Sequence, residues 1–248
     1  MPLDTMPPAV THALILAAGR GERMRPLTDN CPKPLLDVRG KPLIIWQLEK
    51  LARAGIKHVV INTAWLEDQF PARLGDGRAW GLSIRYSHEG AQFGGALETA
   101  GGMATALPLL GIDRQTPFWL MAGDVFMPDF VLPAADAARF RDSGALAHIY
   151  LVPNPEHNPR GDFGLSPEGL AMDRASAQFT YSTVGLYRPA LLDGLAIGQK
   201  AALAPLLRQA MQLGRVHASL YSGAWTDVGT PERLAALNQT PVPRQPAN

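Results

Sequence analysis

One cysteine, Cys31, stands in 248 residues, so the chain can close no internal disulfide, as suits a reducing compartment. Long apolar runs are missing too: nothing approaches the ~18 consecutive residues of a membrane helix, and the proline-bearing start has no sustained apolar region. No membrane partner and a cytoplasmic location are therefore expected. Neither charge dominates, with 23 Lys and Arg against 22 Asp and Glu and a net charge of +1. That balance argues against a general polyanion binder. No basic stretch is interleaved with aromatics, as single-strand binding would require, so no nucleic-acid partner is expected. At 46% hydrophobic and 18% charged, the chain can bury a sizeable core as one domain.

The basic residues that are present gather in one place. His12 to Ala17 is a short apolar run stopped by Gly19, which reads as a buried parallel strand. The loop after it holds Gly19 and Gly21, then Arg20, Arg23 and Arg25, with Lys33 between two prolines, and no run of acids beside them. Such a loop wants an anion. Backbone amides from Ala17 and Ala18 through Gly21 can approach a phosphate without Cβ interference, Arg23 can grip its oxygens as a fork, and Lys33 can act as a point charge. Two other phosphate loops do not fit. A P-loop needs Lys and Ser or Thr after its last glycine, where Glu22 and Arg23 stand, and the dinucleotide fingerprint needs a third glycine where Met24 stands.

Farther along, Pro42 opens a helix that Gly55 closes; His58 to Asn62 reads as a strand, Trp65 to Leu74 as a helix and Leu82 to Ser87 as a strand. This alternation predicts an α/β fold, a single-domain, mostly parallel, doubly wound sheet flanked by helices, with ligands at the carboxyl ends of its strands. The domain is expected over residues 11–239, between proline-rich flexible tails at 1–10 and 240–248. Residues 88–102 carry five glycines and then enter a helix, either as a flexible turn or as a loop whose backbone reads a base edge. Pro117 to Ala122 is another buried strand with Asp124 just past its end, and Asp227 follows Thr226 near the other terminus. Two acids at strand ends can hold one Mg²⁺ that also takes phosphate oxygens. Between them, Arg160, Gly161 and Asp162 form a candidate sugar-binding stretch, in which Asp162 can accept hydrogen bonds from sugar hydroxyls or serve a turn, and Arg160 can pair with a charge on the acceptor or stay a solvated loop arginine. Tyr181, Ser182 and Thr183 can line an acceptor pocket or pack across strands. Leu203 to Leu213 has helical apolar spacing and reads as packing only.

The string GxGxRMxPLT with PKPLL resembles the N-terminal motif of the sugar-1-phosphate nucleotidylyltransferases, and LETAGG, GD and WTDVGT resemble later motifs of that family. The resemblance spans roughly residues 12–237. It implies a Rossmann-like nucleotide-diphospho-sugar transferase fold and phosphate contacts from Arg23 and Lys33. It further implies base and ribose contacts from Leu97, Glu98, Thr99 and Gly102, and Mg²⁺ ligation by Asp124 and Asp227. Segments INTAWL, GLSIRYS, RGDF and LAPLLRQAM are similar to the branch that joins UTP to N-acetylmuramic acid α-1-phosphate in cell-wall (peptidoglycan) recycling. UTP, or another nucleoside triphosphate, and a sugar 1-phosphate are thus the expected partners, taken by a monomer. Mannose 1-phosphate with GTP, glucose 1-phosphate with dTTP, and a catalytically silent nucleotide-sugar sensor are the alternatives.

Overall fold

In the computed structural model, which describes residues 8–239, the first apolar run forms β1 (His12–Leu16) at the middle of a nine-stranded sheet. The chain then passes the loop of residues 17–36, a small hairpin of β2 (Asp37–Val38) and β3 (Lys41–Pro42), and α1 (Leu43–Arg53). Pro42 precedes the first helical turn, and Gly55 follows the last with φ +79°, a left-handed conformation in which glycine carries no Cβ penalty. There follow β4 (His58–Thr63), α2 (Gln69–Leu74), β5 (Ser83–His88), α3 (Glu89–Phe93), α4 (Glu98–Leu110) and β6 (Phe118–Ala122). The second half holds β7 (Val125–Phe126), α5 (Ala134–Asp142), β8 (Ala147–Val152), β9 (Phe163–Leu165), β10 (Ala171–Met172), β11 (Gln178–Tyr187), α6 (Leu203–Gln212), β12 (Val216–Leu220), β13 (Thr226–Asp227) and α7 (Pro231–Gln239).

Strands β5, β4, β1 and β6 are parallel neighbours, so their carboxyl ends share one edge. Strand β11 is inserted antiparallel between β6 and β8, and β12 extends β8 in parallel. The sheet is thus wound and mostly parallel around its centre, mixed where β11, β9 and β10 join. Side-chain alternation divides the core. Ala13, Ile15, Val59, Ile61, Trp119 and Met121 point to one face with Ile44, Leu48 and Leu51 of α1. Leu14, Val60, Phe118 and Leu120 point to the other, under Ala100, Met103 and Ala106 of α4 and Leu203 and Leu207 of α6. Burial on both faces explains why these strands read as continuous apolar runs.

Two boundaries depart from expectation. The helix expected from Trp65 begins only at Gln69, because Leu66 takes φ +47° and the Trp65 indole donates to the Thr28 carbonyl, fixing it to the glycine loop. Of the two expected tails, 1–7 and 240–248 lie outside the described residues, whereas Val10 is buried in the core. Thr183 has φ +60° where the register of β11 against β8 shifts between Tyr181 and Gly185. For a β-branched residue this region is strained, by about 1–2 kcal/mol. Thr183→Gly is expected to raise the unfolding free energy by up to about 1 kcal/mol once glycine's extra unfolded entropy is subtracted, seen as a higher urea midpoint. A lower midpoint in equilibrium unfolding would contradict the strain.

Candidate active site

At the carboxyl end of β1 the loop is braced from several sides. Thr28 Oγ1 donates to the Gly21 carbonyl at 2.8 Å, and Gly21 has φ +69° with Thr28 and Lys33 packed where a side chain would stand. Asp29 accepts from Arg25 Nε at 2.7 Å and from Arg20 Nη2 at 3.3 Å, while the Arg20 guanidinium lies 3.7 Å over the Trp65 ring. The loop's charge is therefore not uncompensated, as the sequence suggested: Asp29 takes two of its arginines. Arg23 has no hydrogen-bond or ion-pair partner among the described residues, and neither do the amides of Gly19, Arg20 and Gly21. The free guanidinium and the free amides together form an anion cradle.

Asp124 follows β6. The Gly123 amide donates to the Leu16 carbonyl at 2.8 Å, and a Cβ on Gly123 would crowd Leu16 O and Pro34, so glycine lets the strand end lie against the loop. Lys33, mostly buried, places Nζ 2.7 Å from Asp124 Oδ2. Strand β13 pairs antiparallel with β7, setting Asp227 opposite Val125, and the Val228 amide donates to the Asp124 carbonyl at 2.9 Å. This ladder brings Asp227 beside the turn that carries Asp124, although the two acids lie 103 positions apart in sequence. Asp227 Oδ1 receives Arg233 Nη1 at 2.6 Å and lies 3.0 Å from His157 Nε2. Asp124 Oδ1 and Asp227 Oδ2 accept nothing from the described residues. Asp124 lines both recesses and Asp227 neither, but two carboxylates each with an oxygen that accepts nothing from the described residues suit a hard divalent cation that takes few protein ligands.

Two connected recesses open here. The larger, about 550 Å³, is walled by Leu16, Ala18, Gly19 and Ala122 at the sheet edge, by Asn62, Ala96, Glu98 and Thr99, by Phe163, Tyr181 and Thr183, and by Ala202, Leu203, Ala204 and Leu207. The smaller, about 230 Å³, is walled by Ala17, Gly19, Gly21, Arg23, Lys33 and Gly229, among others. Asp124 borders both. A roomy apolar space thus meets a small cationic one at a carboxylate.

Several expected residues do other work. Asp162 Oδ2 accepts from the Tyr181 amide at 2.8 Å and Oδ1 from Asn158 at 3.2 Å, so it clamps β11, and it lines neither recess. Gly161 has φ +66° and no room for a Cβ beside Asn154 and Phe179. Ser182 is fully buried, and Arg160 is exposed and outside the wall of either recess. Leu97 is buried, and Gly102 packs under Asn62 and Glu89, where a Cβ would come within 2.7 Å of both. Conversely α6, read as packing, walls the larger recess through Leu203, Ala204 and Leu207. His157 and Arg233 were missed: neither lies in a local pattern, and only the fold brings them to Asp227.

Asn62, in the wall of the larger recess, links the loop after β1 to the segment before α4. Its Oδ1 accepts from the Ala17 amide at 2.8 Å, and its Nδ2 donates to Glu89 Oε1 at 2.6 Å, whose Oε2 accepts from the Leu97 amide at 2.8 Å. Burial pushes the Glu89 carboxyl above its ordinary 4.5, outweighing the hydrogen bonds that favour the anion. A raised folded pKa means the native state holds the proton longer than the unfolded chain. Glu89's stabilisation is thus fully present below pH 4.5 and is lost as pH rises through the folded value. Glu89→Gln should remove this slope, so wild type loses stability relative to the variant as pH is raised from 4.5 in denaturant titrations. Parallel stability curves would overturn the assignment.

A phosphate-sized cationic recess joined to a larger apolar one, at the carboxyl edge of a wound parallel sheet, is the architecture of a nucleotide-binding transferase. Residues 12–167 match the nucleotidyl transferase family, and the chain belongs to it. It is 50% identical over 224 residues to the N-acetylmuramate alpha-1-phosphate uridylyltransferase of Neisseria meningitidis, covering 90% of this chain and 94% of that one. Mannose-1-phosphate guanyltransferase beta-A of Xenopus laevis is 31% identical over 229 residues, 89% of this chain but 61% of that longer one. Among solved structures, a Bacillus anthracis chain described as a glucose-1-phosphate thymidylyltransferase, in complex with sucrose, shares the fold with a TM-score of 0.77. At 20% identity it covers 94% of this chain and 98% of its own. No described helix is long and apolar enough to cross a membrane.

Proposed function

We propose that the chain transfers UMP from UTP to N-acetylmuramic acid α-1-phosphate, releasing pyrophosphate, as a cytoplasmic Mg²⁺-dependent monomer in cell-wall recycling. The observation that carries this reading is the 50% identity to the Neisseria enzyme across nearly its whole length. The site supports the same chemistry. A phosphate monoester has its second pKa near ~6, so the acceptor oxygen is ionised at neutral pH and no general base is needed. That oxygen attacks the α-phosphorus in line; the new O–P bond forms as the bond to the β-phosphate oxygen breaks, and its electron pair leaves with pyrophosphate. In this reading Lys33, paired with Asp124, acts on the charge developing between the phosphates, and Arg23 with the free loop amides holds the leaving group; the pairing and the shared recess support these roles. Asp124 and Asp227 would hold Mg²⁺, which supplies charge neutralisation between the phosphates when bound. The larger recess takes nucleoside and sugar, its volume within the roughly 300–1,000 Å³ of small-molecule sites.

The lactyl carboxylate of the muramic substrate needs a cation or water around it. No cationic side chain among the described residues walls the larger recess, so in this reading the group faces its open, solvated side. Pyrophosphate release across a grid of nucleoside triphosphates and sugar 1-phosphates tests the assignment, with UTP and the muramic compound expected to give the highest kcat/KM. A much higher value for glucose or mannose 1-phosphate overturns the sugar and leaves the family standing. Arg160, exposed and outside the wall, is expected on Arg160→Ala to leave the muramic KM within about twofold of wild type, as for a solvated charge.

A further inference from the structure

Three charged side chains converge on Gly229. A Cβ placed there would stand 3.0 Å from Arg233 Nη1, 3.0 Å from Asp227 Oδ2 and 3.3 Å from Arg23 Nη2. Gly229 itself walls the cationic recess together with Arg23 and Lys33. Two guanidinium groups therefore meet one carboxylate at the rim of a recess that Arg23, Lys33, Glu22 and Asp124 also line.

Arg233 spends little of its donor capacity on the protein. Nη1 alone makes its side-chain contacts, to Asp227 Oδ1 at 2.6 Å and to the Asp227 carbonyl at 3.2 Å; Nε and Nη2 have no acceptor among the described residues. The side chain is 23% exposed and the partnerless Nε and Nη2 are open to solvent, so an incoming anion can reach them. Helix stability does not explain the residue either. Arg233 lies in the first turn of α7, where the helix dipole disfavours a cation. A partly buried guanidinium with unspent donors, held against the dipole beside an anion recess, is suited to phosphate oxygens.

We propose that Arg233 is a second phosphate-binding arginine, which grips the pyrophosphate portion of the triphosphate together with Arg23. This inference rests on the nucleotidyl-transfer reading above. In the nucleotide-free protein Asp227 holds the guanidinium in place; when phosphate enters, the free donors take its oxygens. The arrangement keeps Asp227 paired until the triphosphate arrives to neutralise Arg233 in its stead.

Calorimetric titration of the full chain with pyrophosphate, and separately with UMP, tests this without turnover. Arg233→Ala should raise the Kd for pyrophosphate roughly tenfold or more, the loss of charge-assisted hydrogen bonds, while UMP binding stays within about twofold. Arg233→Lys, which keeps the charge without the fork, should recover part of the affinity. Arg233→Gln repeats the measurement should the alanine variant unfold by circular dichroism. An unchanged pyrophosphate Kd overturns the proposal. So does an equal loss for pyrophosphate and UMP, because an arginine that merely fixes Asp227 would disturb both. Failure of the wild type to bind pyrophosphate at all removes the functional reading itself, whereas wild-type binding with no effect of substitution removes Arg233 alone.

Discussion

Asp124→Asn and Asp227→Asn are each expected to lower Mg²⁺-dependent pyrophosphate release by at least about 100-fold, with the fold intact. Asparagine preserves the shape of each side chain and one oxygen for its neighbour, Lys33 in the first case and Arg233 in the second. What it removes is the negative charge that a divalent cation requires, and with it the charge neutralisation between two phosphates that must approach each other. Packing contributes little to either carboxyl. Asp124 borders both recesses and is 37% exposed, and each acid has an oxygen with no described partner. Unfolding transitions should therefore shift by no more than surface-like amounts, about 0.5 kcal/mol plus what the lost ion pair contributed. Turnover near the wild-type value at saturating Mg²⁺, in a variant that circular dichroism shows folded, would remove that acid from the metal site.

The strands that carry these groups were legible because their burial is local and two-sided. Short apolar runs ending in glycine, at Leu16–Gly19 and Ala122–Gly123, announce parallel strands with polar groups at their carboxyl ends. The position of α1 was legible for a similar reason, since Pro42 and Gly55 restrict the backbone whatever the rest of the molecule does. What the sequence concealed depends on pairings between distant segments. Asp162 looks available for a sugar until β9 meets β11 and its carboxylate is claimed by the Tyr181 amide. Gly102 looks like part of a glycine-rich loop, yet it is needed because the buried Asn62–Glu89 pair occupies the space a Cβ would fill. The apolar face of α6 is indistinguishable in sequence from one that only packs, yet three of its residues wall the larger recess opposite Phe163, Tyr181 and Thr183 of the distant β9 and β11. Arg233 and His157 reach Asp227 from a helix and an irregular loop whose own patterns say nothing about a carboxylate.

Lys33→Ala and Arg23→Ala should each cut kcat by about 10²–10³, whereas Arg20→Ala and Arg25→Ala should cost less than about tenfold. Sequence alone places all four cations in one loop, and a diffuse positive field would weight them alike. The structure separates them by what each already holds. Arg25 and Arg20 are committed to Asp29, and Arg20 also lies against Trp65 and donates to the Thr28 carbonyl at 2.9 Å. Their removal loosens the loop by the worth of a surface ion pair and a cation–π contact, about 1 kcal/mol each. Arg23 has no partner among the described residues and lines the recess, so its guanidinium is available to the leaving phosphates. Lys33 is 11% exposed and pairs with Asp124, which places its charge beside the reacting centre; alanine would remove that charge and leave Asp124 without its cation. The two losses should also differ in kind. Arg23→Ala, acting on the departing pyrophosphate, should weaken pyrophosphate binding along with kcat, while Lys33→Ala should fall mainly on kcat. Steady-state kinetics of the four variants at saturating UTP and Mg²⁺ distinguish these cases, and equal losses at all four positions would show that the loop acts only through its net charge.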